Sequence, residues 1–386
     1  MPAYNITDLY NQIVLQEASD AFQTTCIKEE SYKKIIQSHT SKLYTPNYFI
    51  RIALGIVTII AVLFTSILLG LLFASSGSSP LMILCFLFAV ACYVALELIV
   101  KTKHHYNAGV DNILMTSVIV FFTSTFFMYD STTNYILISG VMMVLSLYLC
   151  VRFTDAFMAT ISYICLFIFI FLLYLKLGTI AKITAPFVMI FLSAFVYLLM
   201  KKLEVKEHLL IYNFCIRAVM FFTLLTFYAS SNYFVIKELS NEMFGLNLTT
   251  HDGIPFGWLF WMLTILIPLS YIFYGVKKKD FLFIRTGLGL IAATVFTIRY
   301  YENFLSAELA MLSAGVIMVG VSYALIQYLK ISRHGYTSRN LHPANKNLLN
   351  VEALIIAQTL GTTSKTDNNN LFGGGSGGGG GASGNF

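Results

Sequence analysis

Charged residues are scarce in this sequence. Asp, Glu, Lys and Arg make up 11% of the 386 residues, whereas apolar residues make up 57% and the mean hydropathy is +0.73. An ordinary soluble domain carries about a quarter charged residues. The composition therefore excludes a typical globular protein of an aqueous compartment and predicts a protein whose main solvent is lipid.

Motifs of common enzymes and metal proteins are also missing. The sequence contains no HExxH, no P-loop, no GxGxxG after a strand and no paired membrane aspartates of the kind that an intramembrane protease uses. Five of the six cysteines lie within apolar runs and the sixth, Cys26, lies near the N-terminus, with no CxxC or Cys/His cluster. We therefore predict no catalytic residue, no metal site and no cofactor.

Long apolar runs dominate the tract from Phe49 to Leu329. A helix needs about 20 such residues to cross a bilayer, and a backbone inside lipid must satisfy its own hydrogen bonds. We predict an all-α, polytopic membrane domain of about ten transmembrane helices. The predicted spans are 49–73, 80–100, 112–129, 134–150, 156–175, 184–200, 209–236, 257–275, 281–298 and 307–329.

Prolines and tryptophans support several of these boundaries. Pro80 and Pro186 are predicted in the first turns of their helices, where a proline costs least, and Pro268 should kink the eighth span. The two tryptophans, Trp258 and Trp261, fall at the start of that span, as expected of interfacial anchors. Small residues, Gly287 among them, predict close helix packing in the last two spans.

Basic residues are distributed unequally between the two sides of the predicted domain. Nineteen of the 25 Lys and Arg residues fall on the side of the termini. By the positive-inside rule, both termini are predicted to face the cytoplasm. Because the net charge of +6 arises from residues that lie mainly in loops on one side of the membrane domain, no nucleic-acid partner is expected.

Four polar residues within the predicted spans are the candidates for an intramembrane site: Glu97, Asn213, Arg217 and Arg285. One hypothesis is an ionic cluster of Arg217 with Glu97, joined by Asn213, that lines a cytoplasm-facing cavity. The alternative is structural. Glu97 then pairs with Lys101 four residues later, Arg285 extends toward the membrane surface, and Arg217 is a structural hydrogen-bond donor.

On the opposite side, Arg299, Glu302 and Glu308 surround the turn before the last span and could form a ligand-binding patch. Anchoring at the membrane interface is the alternative. The longest polar stretch on that side, Lys237–Phe256, is predicted to be a solvated loop.

Two segments outside the membrane domain could contact partners. Residues 1–48 are predicted to form a cytosolic helical head, with one helix capped by Asn5 or Thr7 and a second from Lys28 to Leu43. Residues 330–371 are basic and amphipathic, and residues 372–386 form a glycine-rich tail. The tail begins and ends in phenylalanine, at Phe372 and Phe386, which a recognition peptide would use.

The ending GGGGGASGNF resembles the glycine-rich, aromatic-ended tail of bacterial TPM-domain membrane proteins. The chain has no TPM domain, so that family's proposed roles do not carry over. The short head containing CIKEESYKKII, before many spans that end in RYYENFLSAELAMLSAGVIMVGVSYALI, is similar to uncharacterised prokaryotic multi-pass proteins. These resemblances imply a bacterial inner-membrane location and a fold, and no activity.

The sequence therefore favours an integral inner-membrane protein that acts as a scaffold or complex subunit through protein interactions. Its expected surroundings are the lipid bilayer and a protein partner that binds the head or the tail. A small-molecule transporter or flippase is the alternative function, and an intramembrane enzyme is the third.

Overall fold

The computed structural model describes residues 2–23, 26–73, 78–129, 135–244 and 252–301, with seven isolated positions between 312 and 327. They all belong to one compact unit, Met1–Arg339. As the sequence predicts, this part of the chain is all-α. It contains twelve α-helices and one 3₁₀ helix, and a single β-bridge joins Tyr44 to His105.

The head consists of α1 (Ile6–Gln23) and α2 (Glu29–Ser38). The predicted cap is confirmed, because the Asn5 Oδ1 accepts the Thr7 amide at 3.0 Å. The predicted end of the second helix at Leu43 is wrong. After Ser38 the chain becomes extended, and the Tyr44 amide donates to the His104 carbonyl at 2.8 Å, which ties the head to the membrane domain.

Nine of the described helices are long and apolar enough to span a membrane, so the protein is a multi-pass membrane protein. The tenth predicted span, 307–329, falls where the structure describes only isolated positions. The spans are α3 (Tyr48–Phe73), α4 (Ser78–Lys103), α5 (Val110–Tyr129), α6 (Tyr135–Phe153), α7 (Ala156–Leu175), α8 (Thr179–Glu204), α9 (Asn213–Ala229, preceded by the 3₁₀ helix Glu207–Tyr212), α11 (Gly257–Lys278) and α12 (Phe281–Tyr301).

Eight of the spans pair as antiparallel hairpins: α4 with α5, α6 with α7, α8 with α9, and α11 with α12. In two of the tight turns the backbone reverses at a residue with positive φ, Thr154 (51°) and Lys279 (57°). Asp155 and Asp280 then accept the Met158 and Leu282 amides of the next helix. We call the membrane end with these turns the head side, and the opposite end the far side.

The seventh predicted span, 209–236, is wrong at its end. Helix α9 stops at Ala229 and the chain turns at 230–232. The Asn232 Oδ1 accepts the Val235 amide at 3.1 Å and so starts the short helix α10 (Tyr233–Phe244). The predicted loop Lys237–Phe256 is therefore helical in its first part.

Pro80 lies in the first turn of α4 and Pro268 inside α11, as predicted. The predicted position of Pro186 is wrong, because α8 begins at Thr179 and Pro186 lies inside the helix. Trp261 stacks on the Tyr233 ring, with ring centroids 5.0 Å apart, so it packs within the protein. Trp258 points outward.

The largest apolar core joins α4, α5, α6, α7 and the start of α9, with Leu96, Met115, Leu149 and Met158 fully enclosed. Leu9 of the head packs into the same cluster, so the head and the spans share one core. Helix α3 differs, because it buries only Gly55 and turns its apolar side chains outward. Such a surface is stable when lipid surrounds it.

Helices α11 and α12 approach each other closely at Gly287. A Cβ atom at this position would lie 2.8 Å from the Ile272 Cγ1 and 3.1 Å from the Pro268 carbonyl oxygen. A Cβ atom at Gly289, on the same helix, would have no neighbour within 4 Å. The small-residue packing expected from the sequence is therefore present at Gly287 and not at Gly289.

We predict that Gly287→Leu destabilises the purified protein by about 1–3 kcal/mol, because the added side chain must push α11 away from α12. Thermal unfolding in detergent measures this loss. Gly289→Leu is the matched control and should unfold at the wild-type temperature. An equal loss in both variants would contradict the proposed packing.

Candidate functional site

Glu97 contacts three polar side chains near the head-side end of α4. Arg152 holds it with two hydrogen bonds, Nε to Oε1 at 2.9 Å and Nη2 to Oε2 at 3.2 Å. Lys101 lies 3.3 Å away, which confirms the predicted pairing four residues apart. The Tyr93 hydroxyl also donates to Glu97 and contacts the Tyr148 hydroxyl at 2.7 Å. The group ties α4 to the end of α6.

The predicted cluster of Glu97 with Arg217 is wrong. Arg217 donates through Nε to Glu204 at 3.0 Å, and its side chain is 62% exposed. Asn213 begins α9, and its buried Oδ1 has no hydrogen-bond partner among the described residues. Arg285 lies on the exposed surface of α12. The structure therefore separates the predicted candidates, because Glu97 pairs with Arg152 of the α6–α7 hairpin, whereas Arg217 pairs with Glu204 of its own α8–α9 hairpin.

On the far side, Arg299 is half-buried at the end of α12. Its buried Nη1 has no hydrogen-bond partner among the described residues. The other predicted members of the patch, Glu302 and Glu308, lie outside the described residues, as do Phe372 and Phe386 of the tail. The ligand-binding and recognition roles predicted for them stay predictions.

Lys237, expected in a solvated loop, is 1% exposed. Its Nζ donates to the Asp252 carbonyl at 2.7 Å and lies 4.9 Å from the centre of the Tyr301 ring. The Tyr301 hydroxyl in turn donates to Glu238 at 3.4 Å. A carbonyl and an aromatic face compensate a buried ammonium. This lysine therefore fixes α10 against the end of α12 and the segment that precedes α11.

A buried polar network secures the turn between α9 and α10. The Asn232 amide donates to the Tyr228 hydroxyl at 2.9 Å and to the Thr297 hydroxyl at 3.0 Å. Tyr228 also contacts Thr294 at 2.9 Å, and Thr264 accepts the Tyr233 amide at 3.0 Å. Because the polar groups of the network form hydrogen bonds with one another, we interpret the network as structural.

The described part of the chain contains a polar cavity of about 520 Å³ on the head side, which we call the head chamber. Helix α1 forms one wall, and the α4–α5 turn, the start of α7 and the 3₁₀ helix form the others. Its polar lining consists of amides, hydroxyls and one charge of each sign. These residues are Gln12, Gln16, Thr45, Arg51, Tyr106, Asn107, Asn112, Thr154 and Asp155.

Asp155 is the buried carboxylate of the head chamber, at 5% exposure. It accepts the Met158 amide at 2.8 Å and the Asn112 side-chain amide at 3.0 Å. Burial raises the pKa of Asp155, and the nearby Asp111 raises it further, while the Met158 amide and Arg51 act in the opposite direction. Asp111 is itself buried and accepts the Ala108 amide at 2.9 Å.

Two buried oxygen atoms beside Asp155 make no hydrogen bond of ordinary geometry with the described residues, although the Tyr106 hydroxyl interacts with one of them, that of Thr154. They are the Thr154 Oγ1 and the Asn112 Oδ1, and Thr154 is only 4% exposed. The buried Tyr4 hydroxyl is a third such group nearby. Burial raises the pKa of Tyr4, so this hydroxyl keeps its proton. Unsatisfied buried polar atoms are uncommon, because each costs about 1–3 kcal/mol.

Oxygen atoms make up the acceptor set around Asp155. A carboxylate, an amide oxygen and a hydroxyl suit a cation that prefers oxygen ligands, or the N–H groups of an ammonium or guanidinium. Among the described residues, no group of three or more His, Cys, Asp and Glu side chains could hold a metal ion. The oxygen acceptors of the chamber have the chemistry to bind a small cation.

Sequence reasoning missed this site although a signal was present. Asp111 and Asp155 each lie at the start of an apolar run and directly after a polar turn, so each reads as a local helix cap. Nothing in the linear pattern indicates that Asn112 of one hairpin donates to Asp155 of the next. The chain matches no family model, and no curated protein or solved structure matches it.

For the ion pair, we predict a coupling energy of about 1.5–3 kcal/mol between Glu97→Gln and Arg152→Gln, because two charge-assisted hydrogen bonds form in a partly buried site. Unfolding of the two single variants and the double variant measures it. The matched control is Glu204→Gln with Arg217→Gln, an exposed pair expected to couple by less than about 1 kcal/mol. Equal coupling in both cycles would contradict this interpretation.

Proposed function

We propose that the protein is a transporter that binds a small cationic solute in the head chamber. One observation carries the proposal. The buried Asp155 carboxylate lies in the chamber wall beside the buried Asn112 Oδ1, which has no hydrogen-bond partner among the described residues. A cation or organic ammonium bound in the chamber would compensate the buried Asp155 carboxylate.

The charges of the chamber favour a cation. The lining contains one acidic group, Asp155, and one basic group, Arg51, whose Nη2 lies 3.4 Å from the Asn107 Oδ1, and a second acidic group, Asp111, is buried nearby. The remaining polar lining is neutral. The volume of about 520 Å³ falls in the range of roughly 300–1,000 Å³ for small-molecule sites. A solute with one positive charge would complement the excess of acidic groups in and beside the chamber.

The position of the chamber suggests how it is loaded. The last turns of α4, α6, α8 and α11 carry lysine or arginine and meet at the head side. By the positive-inside rule we place this side in the cytoplasm of a bacterial inner membrane. The apolar core between the chamber and the far side is closed at Leu149 and Met158. Passage through the protein therefore requires the spans to rearrange.

We predict that methylguanidinium raises the unfolding temperature of the purified protein, measured at constant ionic strength, because a ligand of the native state stabilises it. The pKa of Asp155 is raised, so its carboxylate takes up a proton at a higher pH than an exposed aspartate. Binding should be complete above this raised pKa and lost as the pH falls through it. Asp155→Asn should weaken binding at least tenfold, about 1.4 kcal/mol.

Asp280→Asn is the matched control, because Asp280 starts α12 as Asp155 starts α7 but does not line the chamber. It should bind methylguanidinium like the wild type. Methyl sulfate, an anion of similar size, should not stabilise either protein. Stabilisation that is equal in Asp155→Asn and wild type would overturn the cation site. Binding without flux of methylguanidinium into proteoliposomes would retain the site and overturn transport.

The second candidate is the scaffold that the sequence favours. Its structural support is that α2 buries none of its residues and leaves Ile36 exposed on the head. We propose that the head and the glycine-rich tail would then bind a cytosolic protein. Affinity purification of the full chain against a deletion from Phe372 onward tests this. A scaffold should lose defined partners on deletion, whereas an unchanged set of proteins would contradict a role for the tail.

A further inference from the structure

A second cavity lies at the far side, away from the head chamber. It has a volume of about 380 Å³ and lies among the far-side halves of α7 and α8, the end of α9, and α10. Its walls are mostly apolar, with Phe171, Pro186 and Met189 on one side and Leu239 and Met243 on the other. We call it the far-side pocket.

Helix α10 forms the roof of this pocket. At twelve residues it is about 18 Å long, too short to span a bilayer. Val235, Ile236, Leu239, Ser240 and Met243 line the pocket, a spacing that places them on one helical face. On the other face, Lys237 binds the Asp252 carbonyl, so the roof is held in place.

The pocket lining contains one charged side chain among the described residues, Lys182 in the first turn of α8. An apolar cavity with a single cationic group is complementary to an amphiphile with an anionic head. We propose that the far-side pocket binds a fatty acid, with the acyl chain between α8 and α10 and the carboxylate at Lys182.

The size of the pocket distinguishes one acyl chain from two. At roughly 30 Å³ for each water-sized group, such a cavity holds about a dozen groups, which corresponds to one chain of medium length. A lipid with two chains would leave its second chain in the bilayer. Met189 and Met243 lie on opposite walls, and methionine side chains adapt readily to flexible apolar ligands.

Displacement of dansyl-labelled undecanoic acid from the purified full-length protein tests the proposal. Dodecanoic acid should displace the probe with a single saturable affinity, and dodecanol should do so at least tenfold more weakly because it lacks the charge. Lys182→Gln should weaken dodecanoic acid about tenfold and leave dodecanol unchanged. Ser240→Phe and Ala185→Leu, which fill the pocket, should abolish displacement by both.

Lys176→Gln is the matched control, because Lys176 also lies at the far side but lines a different, lipid-facing groove. It should bind both compounds like the wild type. Equal weakening by Lys176→Gln and Lys182→Gln would overturn the carboxylate contact. Wild-type affinity in either filled variant that retains the wild-type unfolding temperature would overturn the pocket itself. None of these outcomes depends on Asp155 or on methylguanidinium, so this inference fails or stands independently of the proposed transport function.

Discussion

Lipid as the solvent is the constraint on which the structure depends. A polar group within the bilayer cannot exchange its hydrogen bonds with water, so it must find a partner in the protein. The hairpins satisfy this requirement in a repeated way. Asp155 and Asp280 cap the helices that follow their turns, and threonine hydroxyls inside the spans donate to carbonyls one turn earlier, as Thr264 does to Phe260. The polar ends that remain collect at the two membrane surfaces.

The features that the sequence predicts well are those that depend on local properties. The length of the apolar runs defines the spans, and Pro80 lies in the first turn of α4, as the sequence predicts. Which helices pack side by side cannot be predicted from such local properties. Glu97 could pair with any cation at its depth, and the choice of Arg152 over Arg217 depends on α4 packing beside the end of α6. Apolar surface faces both lipid and protein, so periodicity does not reveal which face contacts which helix.

The head chamber illustrates the same limit of prediction from sequence. Each of its key residues has an adequate local interpretation, Asp155 as a helix cap and Thr154 as a turn residue. That these residues line one cavity becomes evident only in the folded protein, where two hairpins and the head surround it. Asn112 illustrates the point, because its amide satisfies Asp155 while its oxygen has no partner among the described residues. A cap that served only to start α7 would not need Asn112.

Two spans, α7 and α9, border both cavities. At the head side, Phe157 and Phe214 line the chamber, and at the far side Phe171 and Ala229 line the pocket. Between the cavities, the Tyr163 hydroxyl of α7 contacts Thr226 of α9, and Thr226 contacts Ser193 of α8 at 3.1 Å. These hydrogen bonds tie the three helices together within an otherwise apolar layer. A movement of α7 that opens the chamber toward the far side must therefore break or carry along this contact, and it would change the shape of the pocket at the same time.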